Sequence, residues 1–83
     1  MITTSTTETA IRQILREHGR LATEPDLIGT DADLYEAGMT SHASVNVMLA
    51  LEGEFNVEFP DYMLQRNVFR SIQSIERALA ELD

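Results

Sequence analysis

Eighty-three residues, 43% of them hydrophobic, make one domain with a modest core, and no apolar run reaches the length a bilayer requires. A net charge of −8, from fourteen acids against six arginines, argues against nucleic acid and anionic membrane surfaces as partners and favours basic protein surfaces. With no cysteine there is no disulfide framework, thiolate nucleophile or zinc–thiolate cluster, and two separated histidines, His18 and His42, do not suggest a metal site.

The opening stretch MITTSTTETA lacks the basic start and apolar block of a secretory signal, so the chain is expected in the cytoplasm. It reads as a single domain, 1–83, with residues 1–5 disordered. Ser5-Thr6-Thr7-Glu8 spells a capping box that opens an amphipathic run of Ala10, Ile11, Ile14 and Leu15. Gly19 supplies a C′ residue, which predicts a first helix over residues 6–18. Between residues 20 and 40 the periodicity stops. Pro25, Gly29 and Gly38 punctuate this loop, and Asp26, Asp31 and Asp33 supply caps and turns, with a short helical turn expected near 33–36. Leu21, Leu27, Ile28, Leu34 and Tyr35 are expected to pin it to the core.

A second helix starts at Thr40 or Ser41, and Val45, Met48, Leu51 and Phe55 fall on one helical face. Gly53 weakens this helix near its end. Phe59-Pro60-Asp61 breaks the chain and starts a short third helix to about residue 66. Ser71 caps the last helix, whose face is Ile72, Ile75, Leu79 and Leu82. No strand pattern is present. The reading is all-α, a four-helix bundle with a long ordered first loop and a short third helix. Its core is Ile11, Ile14, Leu15, Val45, Met48, Leu51, Phe55, Ile72, Ile75 and Leu79.

Ser41 is the residue on which function turns. It is either a helix N-cap and nothing more, or a hydroxyl to which another enzyme attaches a group at the positive end of a helix. Ser41-His42 is not a catalytic dyad, because neighbours on a helix point about 100° apart and no third group is identifiable. Glu52, Glu54, Glu58 and Asp61 read as a solvated charged helix end rather than paired catalytic carboxylates. The stretch DADLYEAGMTSH lacks the alternating oxygen ligands and the glycine of a calcium loop.

The order of features, from the long loop and Gly-x-x-Ser through VNVMLALEGEF and NVEFPD to a short segment and a capped final helix, resembles the acyl carrier proteins. The resemblance implies their bundle, with Val68 at a core position. It implies 4′-phosphopantetheine, taken from coenzyme A, on Ser41 through a phosphodiester, and a cargo held as a thioester on the arm's thiol. It implies a monomeric protein that is not itself an enzyme, holds no metal, and is served by a phosphopantetheinyl transferase, a loading enzyme and a downstream acceptor enzyme. Where the family has Asp-Ser-Leu this chain has Thr40-Ser41-His42, and Asn46 and Gly53 stand where the family often has acids. GMTSHASVNVMLALE is similar to the small bacterial aminoacyl carrier proteins, which implies glycine or alanine as cargo, loaded by an amino acid:carrier-protein ligase. Thr40, His42, Asn46, Leu49 and Glu52 are then the residues expected to meet partners. The alternatives are a carrier for fatty-acid, specialised lipid or polyketide synthesis, and an acidic helical interaction module without a prosthetic group, in which Ser41 is only a cap.

Overall fold

The computed structural model describes residues 6–82, so Ser5 of the capping box and the disorder expected for residues 1–5 lie outside the described residues. Helix α1 spans Thr6–Ile14 and continues as a π-helical turn over Leu15–Gly19. Ile11, Ile14 and Leu15 are buried along its inner face, as their spacing requires. The left-handed residue that ends this run is Arg20 (φ 56°) and not Gly19, because the wider π turn reverses the chain one residue later.

The loop is held by polar and apolar anchors together. Arg12 lies across it, its Nη1 donating to the carbonyls of Pro25 and Ile28 while its Nε donates to Glu8 Oε2 at 3.0 Å. Two backbone bonds tie the loop to the far end of the chain, Leu34 N–H to the Arg70 carbonyl at 2.7 Å and Gln73 N–H to the Thr30 carbonyl at 2.9 Å. Ile28, Leu34 and Met39 are buried, and Leu21 and Tyr35 pack part-buried against them. Leu27 does not pin the loop. It is 78% exposed at the end of a 3₁₀ turn, Pro25–Leu27, whose inward side chain is Pro25. Asp33 makes the expected turn, its Oδ1 accepting from the amides of Tyr35 at 2.9 Å and Glu36 at 3.3 Å.

Helix α2 spans Ser41–Phe55, and its cap is Thr40, whose Oγ1 accepts from the Ala43 amide at 3.0 Å. The cap is therefore one residue earlier than Ser41. The buried face of α2 is Ala43, Val47 and Leu51, which packs on α1 and its π turn. Of the predicted face only Leu51 is fully buried. Val45 is 50% exposed, and Met48 and Phe55 are part-buried. The reason is rotational: Val45 lies about 200° round the helix from Val47, so both cannot face inward.

Beyond α2, Asn56 takes the left-handed position (φ 55°), and Glu52 Oε2 accepts from the Phe59 amide at 2.9 Å. The predicted third helix is instead two 3₁₀ turns, Asp61–Met63 and Arg66–Phe69. Each sends one side chain inward, Met63 and Phe69. Phe69 meets Phe59 edge to face with ring centroids 5.4 Å apart, and Val68 is part-buried against the core. Helix α3, Ile72–Leu82, is capped by Ser71, whose Oγ accepts from the Ser74 amide at 3.1 Å. It buries Ile72, Ile75, Ala78 and Leu79 against α1. The described residues contain no strand, and the all-α bundle stands with the two 3₁₀ turns in the place of its short helix.

Three outcomes follow from this packing. Leu51→Ala should cost about 2–5 kcal/mol while Val45→Ala stays within about 0.5 kcal/mol, read by urea unfolding. Thr40→Ala should cost about 1 kcal/mol by the same measurement, as loss of an N-cap does. At Asp33, burial acts to raise the pKa, but the Glu36 and Tyr35 amides and the Arg70 guanidinium (Nε to Oδ2, 3.2 Å) outweigh it and hold the carboxyl below its ordinary value. A carboxylate held low stabilises the fold in full above its unfolded pKa of about 3.9, and that stabilisation is lost as pH falls through the folded value. Asp33→Asn should therefore be less stable than the parent at neutral pH, and the gap should close as pH falls below the ordinary carboxylate range in urea titrations.

Candidate functional site

The end of the loop fixes where α2 begins. Gly38 has φ 120°, and a Cβ placed there would come within 2.9 Å of the Ala22 backbone nitrogen, so only glycine fits without a shift. That nitrogen donates to the Ala37 carbonyl at 2.9 Å, and the Met39 amide donates to the Leu34 carbonyl at 3.0 Å. With Met39 buried, Thr40 emerges in extended geometry (φ −84°, ψ 166°) and the helix starts at the next residue.

Ser41 is thus the first residue of α2 and is exposed. Its hydroxyl makes no hydrogen bond with any described residue. Its carbonyl accepts from Ser44 Oγ at 2.7 Å, which tightens the first turn. The helix end is the positive pole of α2, and no acid stands in its first turn. A singly charged group esterified to Ser41 therefore meets a favourable field and no steric obstruction from the chain's own bonding.

Two stripes of α2 reach solvent. Ser41, Val45 and Met48, at spacings of four and three, line one wall of an open groove of about 480 Å³. The 3₁₀ segment contributes Leu64, Arg66 and Phe69 to the same groove, and Tyr35 of the long loop also lines it. Arg66 is the charged residue among the lining side chains, and its guanidinium carbon sits 3.8 Å over the Tyr35 ring, a contact worth about 0.5–1 kcal/mol at an exposed site. His42, Asn46 and Leu49 form the adjacent stripe, His42 and Leu49 exposed and Asn46 half-buried.

The residues expected to meet partners thus divide. His42, Asn46 and Leu49 share one surface beside Ser41. Thr40 is exposed but committed to the cap, and Glu52 spends one carboxylate oxygen on the Phe59 amide. Sequence reasoning missed Tyr35, Val45, Leu64 and Arg66 as neighbours of Ser41. For Val45 a signal existed, since a residue four positions after an exposed serine shares its side of the helix. For Leu64 and Arg66 none did, because their placement depends on two non-repetitive turns. Among the described residues no group of three His, Cys, Asp or Glu side chains could hold a metal ion, and no helix is long and apolar enough to cross a membrane.

Comparison with known proteins places this arrangement. Residues 9–79 match the family model described as "Phosphopantetheine attachment site". The chain is 52% identical over 66 residues to the aminoacyl carrier protein of Agrobacterium fabrum (strain C58 / ATCC 33970), covering 80% of this chain and 80% of that one. It superposes with a TM-score of 0.89 and 45% identity, over 92% of this chain and 99% of the other, on a chain from a crystal structure of an engineered Bradyrhizobium japonicum glycine:[carrier protein] ligase complexed with carrier protein from Agrobacterium tumefaciens and ATP. A solution structure from Agrobacterium tumefaciens gives a TM-score of 0.71 at 46% identity, covering 89% of each chain. A match of this length, over a bundle whose second helix opens on an unbonded serine, means that the chain belongs to the phosphopantetheine-attachment family of carrier proteins.

Proposed function

We propose that this chain is an aminoacyl carrier protein of the cytoplasm, with Ser41 as the attachment residue and no catalytic activity of its own. The observation that carries the site is the Ser41 hydroxyl, exposed at the first position of α2 and free because Thr40 does the capping. When attached, 4′-phosphopantetheine supplies an arm ending in a thiol that holds the cargo as a thioester. Everything else falls to the chain. Ser41 Oγ is the ester oxygen, and the α2 dipole favours the negative charge beside it. The chain has no cysteine, so no thiol of its own competes for the cargo.

The aminoacyl reading is supported by the relative of that name at 52% identity and by the fold shared with a chain from a ligase–carrier complex. It also agrees with the chemistry of α2. A carrier loaded by such a ligase presents His42, Asn46 and Leu49 beside Ser41, a surface that recognises by shape and hydrogen bonds as well as by charge. An aminoacyl cargo carries an ammonium group whose burial among apolar side chains is costly, so the cargo stays outside the bundle. The partners are a phosphopantetheinyl transferase, an amino acid:carrier-protein ligase and a downstream acceptor enzyme.

Intact-mass spectrometry after incubation with coenzyme A and a broad transferase should show one added arm on the parent and none on Ser41→Ala, which should keep its helical circular dichroism. Arm addition to the variant would remove Ser41 from the role. The arm-bearing protein should then accept labelled glycine or alanine from an amino acid:carrier-protein ligase with ATP, and not a fatty acid from an acyl-carrier synthetase. His42→Leu with Asn46→Glu should lower that loading by about tenfold without loss of fold, a change of about 1.4 kcal/mol in recognition. Efficient fatty acylation with no aminoacylation would transfer the cargo to the lipid class.

A further inference from the structure

The side-chain contact that Arg66 makes is with the Tyr35 ring, and it forms no ion pair among the described residues. Arg12, Arg16 and Arg70 each meet carboxylates, Glu8 for the first, Glu24 and Asp26 for the second, and Asp33 for the third. Arg20, Arg66 and Arg77 meet none among the described residues, and of these three Arg66 is the one that lines the groove with Ser41. It sits over the Tyr35 ring, exposed, and it lines the same groove as Ser41, where no acidic side chain accompanies it. In a chain of net charge −8, a cation without a carboxylate that lines the same groove as Ser41 requires an explanation.

We propose that Arg66 binds the phosphodiester of the arm on Ser41, with Tyr35 as the residue that positions it; this rests on the carrier reading above. The Arg66 guanidinium carbon lies 3.8 Å over the Tyr35 ring and no carboxylate occupies its N–H donors, so donors directed away from the ring stay available, and a guanidinium fork matches two phosphate oxygens. Stacking and phosphate binding are therefore compatible, and the ring presents the cation instead of consuming it. The α2 dipole and Arg66 would then both favour the negative charge of a phosphodiester on Ser41. A bound phosphodiester fixes the root of the arm and leaves its far end mobile, which suits a cargo that must reach several enzymes. No bond is made or broken in this step.

The test uses the arm-bearing protein made as above, with arm addition confirmed by mass. Its phosphorus NMR resonance should differ between the parent and Arg66→Gln by more than the linewidth, and the difference should shrink in about 1 M salt, where charge interactions are screened within about 3 Å. Arg66→Lys should lie between the two. Arg77→Gln, which removes the same charge from an exposed site on α3, should match the parent. The Arg66 Nε–H resonance of the parent should itself move when the arm is added, a readout that needs no variant. Equal phosphorus shifts in the parent and Arg66→Gln, or an unmoved Arg66 resonance, would overturn the proposal while leaving the carrier reading intact. Failure to add an arm at Ser41 would overturn both.

Discussion

The position of one backbone crossing governs the functional end of this molecule. Gly38 must take a positive φ because the chain passes within 2.9 Å, at its would-be Cβ, of the Ala22 nitrogen, and that nitrogen is already engaged by the Ala37 carbonyl. This contact ties the start of the long loop to its end and sets the register in which α2 emerges. In that register a threonine falls at the cap and a serine at the first helical position. A shift of one residue would place Ser41 at the cap, where its oxygen would accept from a backbone amide and lose its freedom. The remaining loop anchors, Arg12 on the Pro25 and Ile28 carbonyls and Leu34 on the Arg70 carbonyl, keep this crossing from relaxing.

Given that register, α2 has to satisfy three neighbours at once. Ala43, Val47 and Leu51 face α1, Ser41, Val45 and Met48 face the groove, and His42, Asn46 and Leu49 face solvent. Such a helix is apolar over much of its circumference without being buried over much of it, so its apolar residues do not mark one inner face. The two 3₁₀ turns opposite it complete the arrangement. By burying Met63 and Phe69 six residues apart, they hold the backbone in a shape that presents Leu64 and Arg66 to the groove between them.

Much of the bundle was legible in the sequence, because three of its helices advertise themselves by caps and by period. Ile11, Ile14, Leu15, Ile72, Ile75 and Leu79 are buried as their spacing requires, and Ser71 caps the helix it precedes. The misreadings have physical causes. Assigning Val45 to the core conflicted with presenting Ser41 to solvent, since residues four apart lie within about 40° of each other on a helix. Hydrophobicity alone points Leu27 to the core, but in the 3₁₀ turn Pro25–Leu27 the buried side chain is Pro25 and Leu27 is exposed. Ser41 was singled out through its likeness to a family motif, while the groove facing it was not legible, because no periodic signal encodes a segment made of two short turns.

The charge distribution reconciles an acidic protein with an anionic modification. Taken as a whole, a chain of net charge −8 repels a phosphodiester. The fold does not present that average at Ser41. Glu8, Glu24, Asp26 and Asp33 are held by arginines on the loop side of the molecule, and the acids of α2 begin only at Glu52, almost at its other end. Eleven residues of helix span about 16 Å, roughly two Debye lengths at physiological salt, so those carboxylates are largely screened from the serine. The first turn of α2 carries no acid, and the charged side chain of the groove is a cation. The surface can therefore be acidic enough to draw basic partners towards the far half of α2, while the serine sits in a field that favours the group it is proposed to carry.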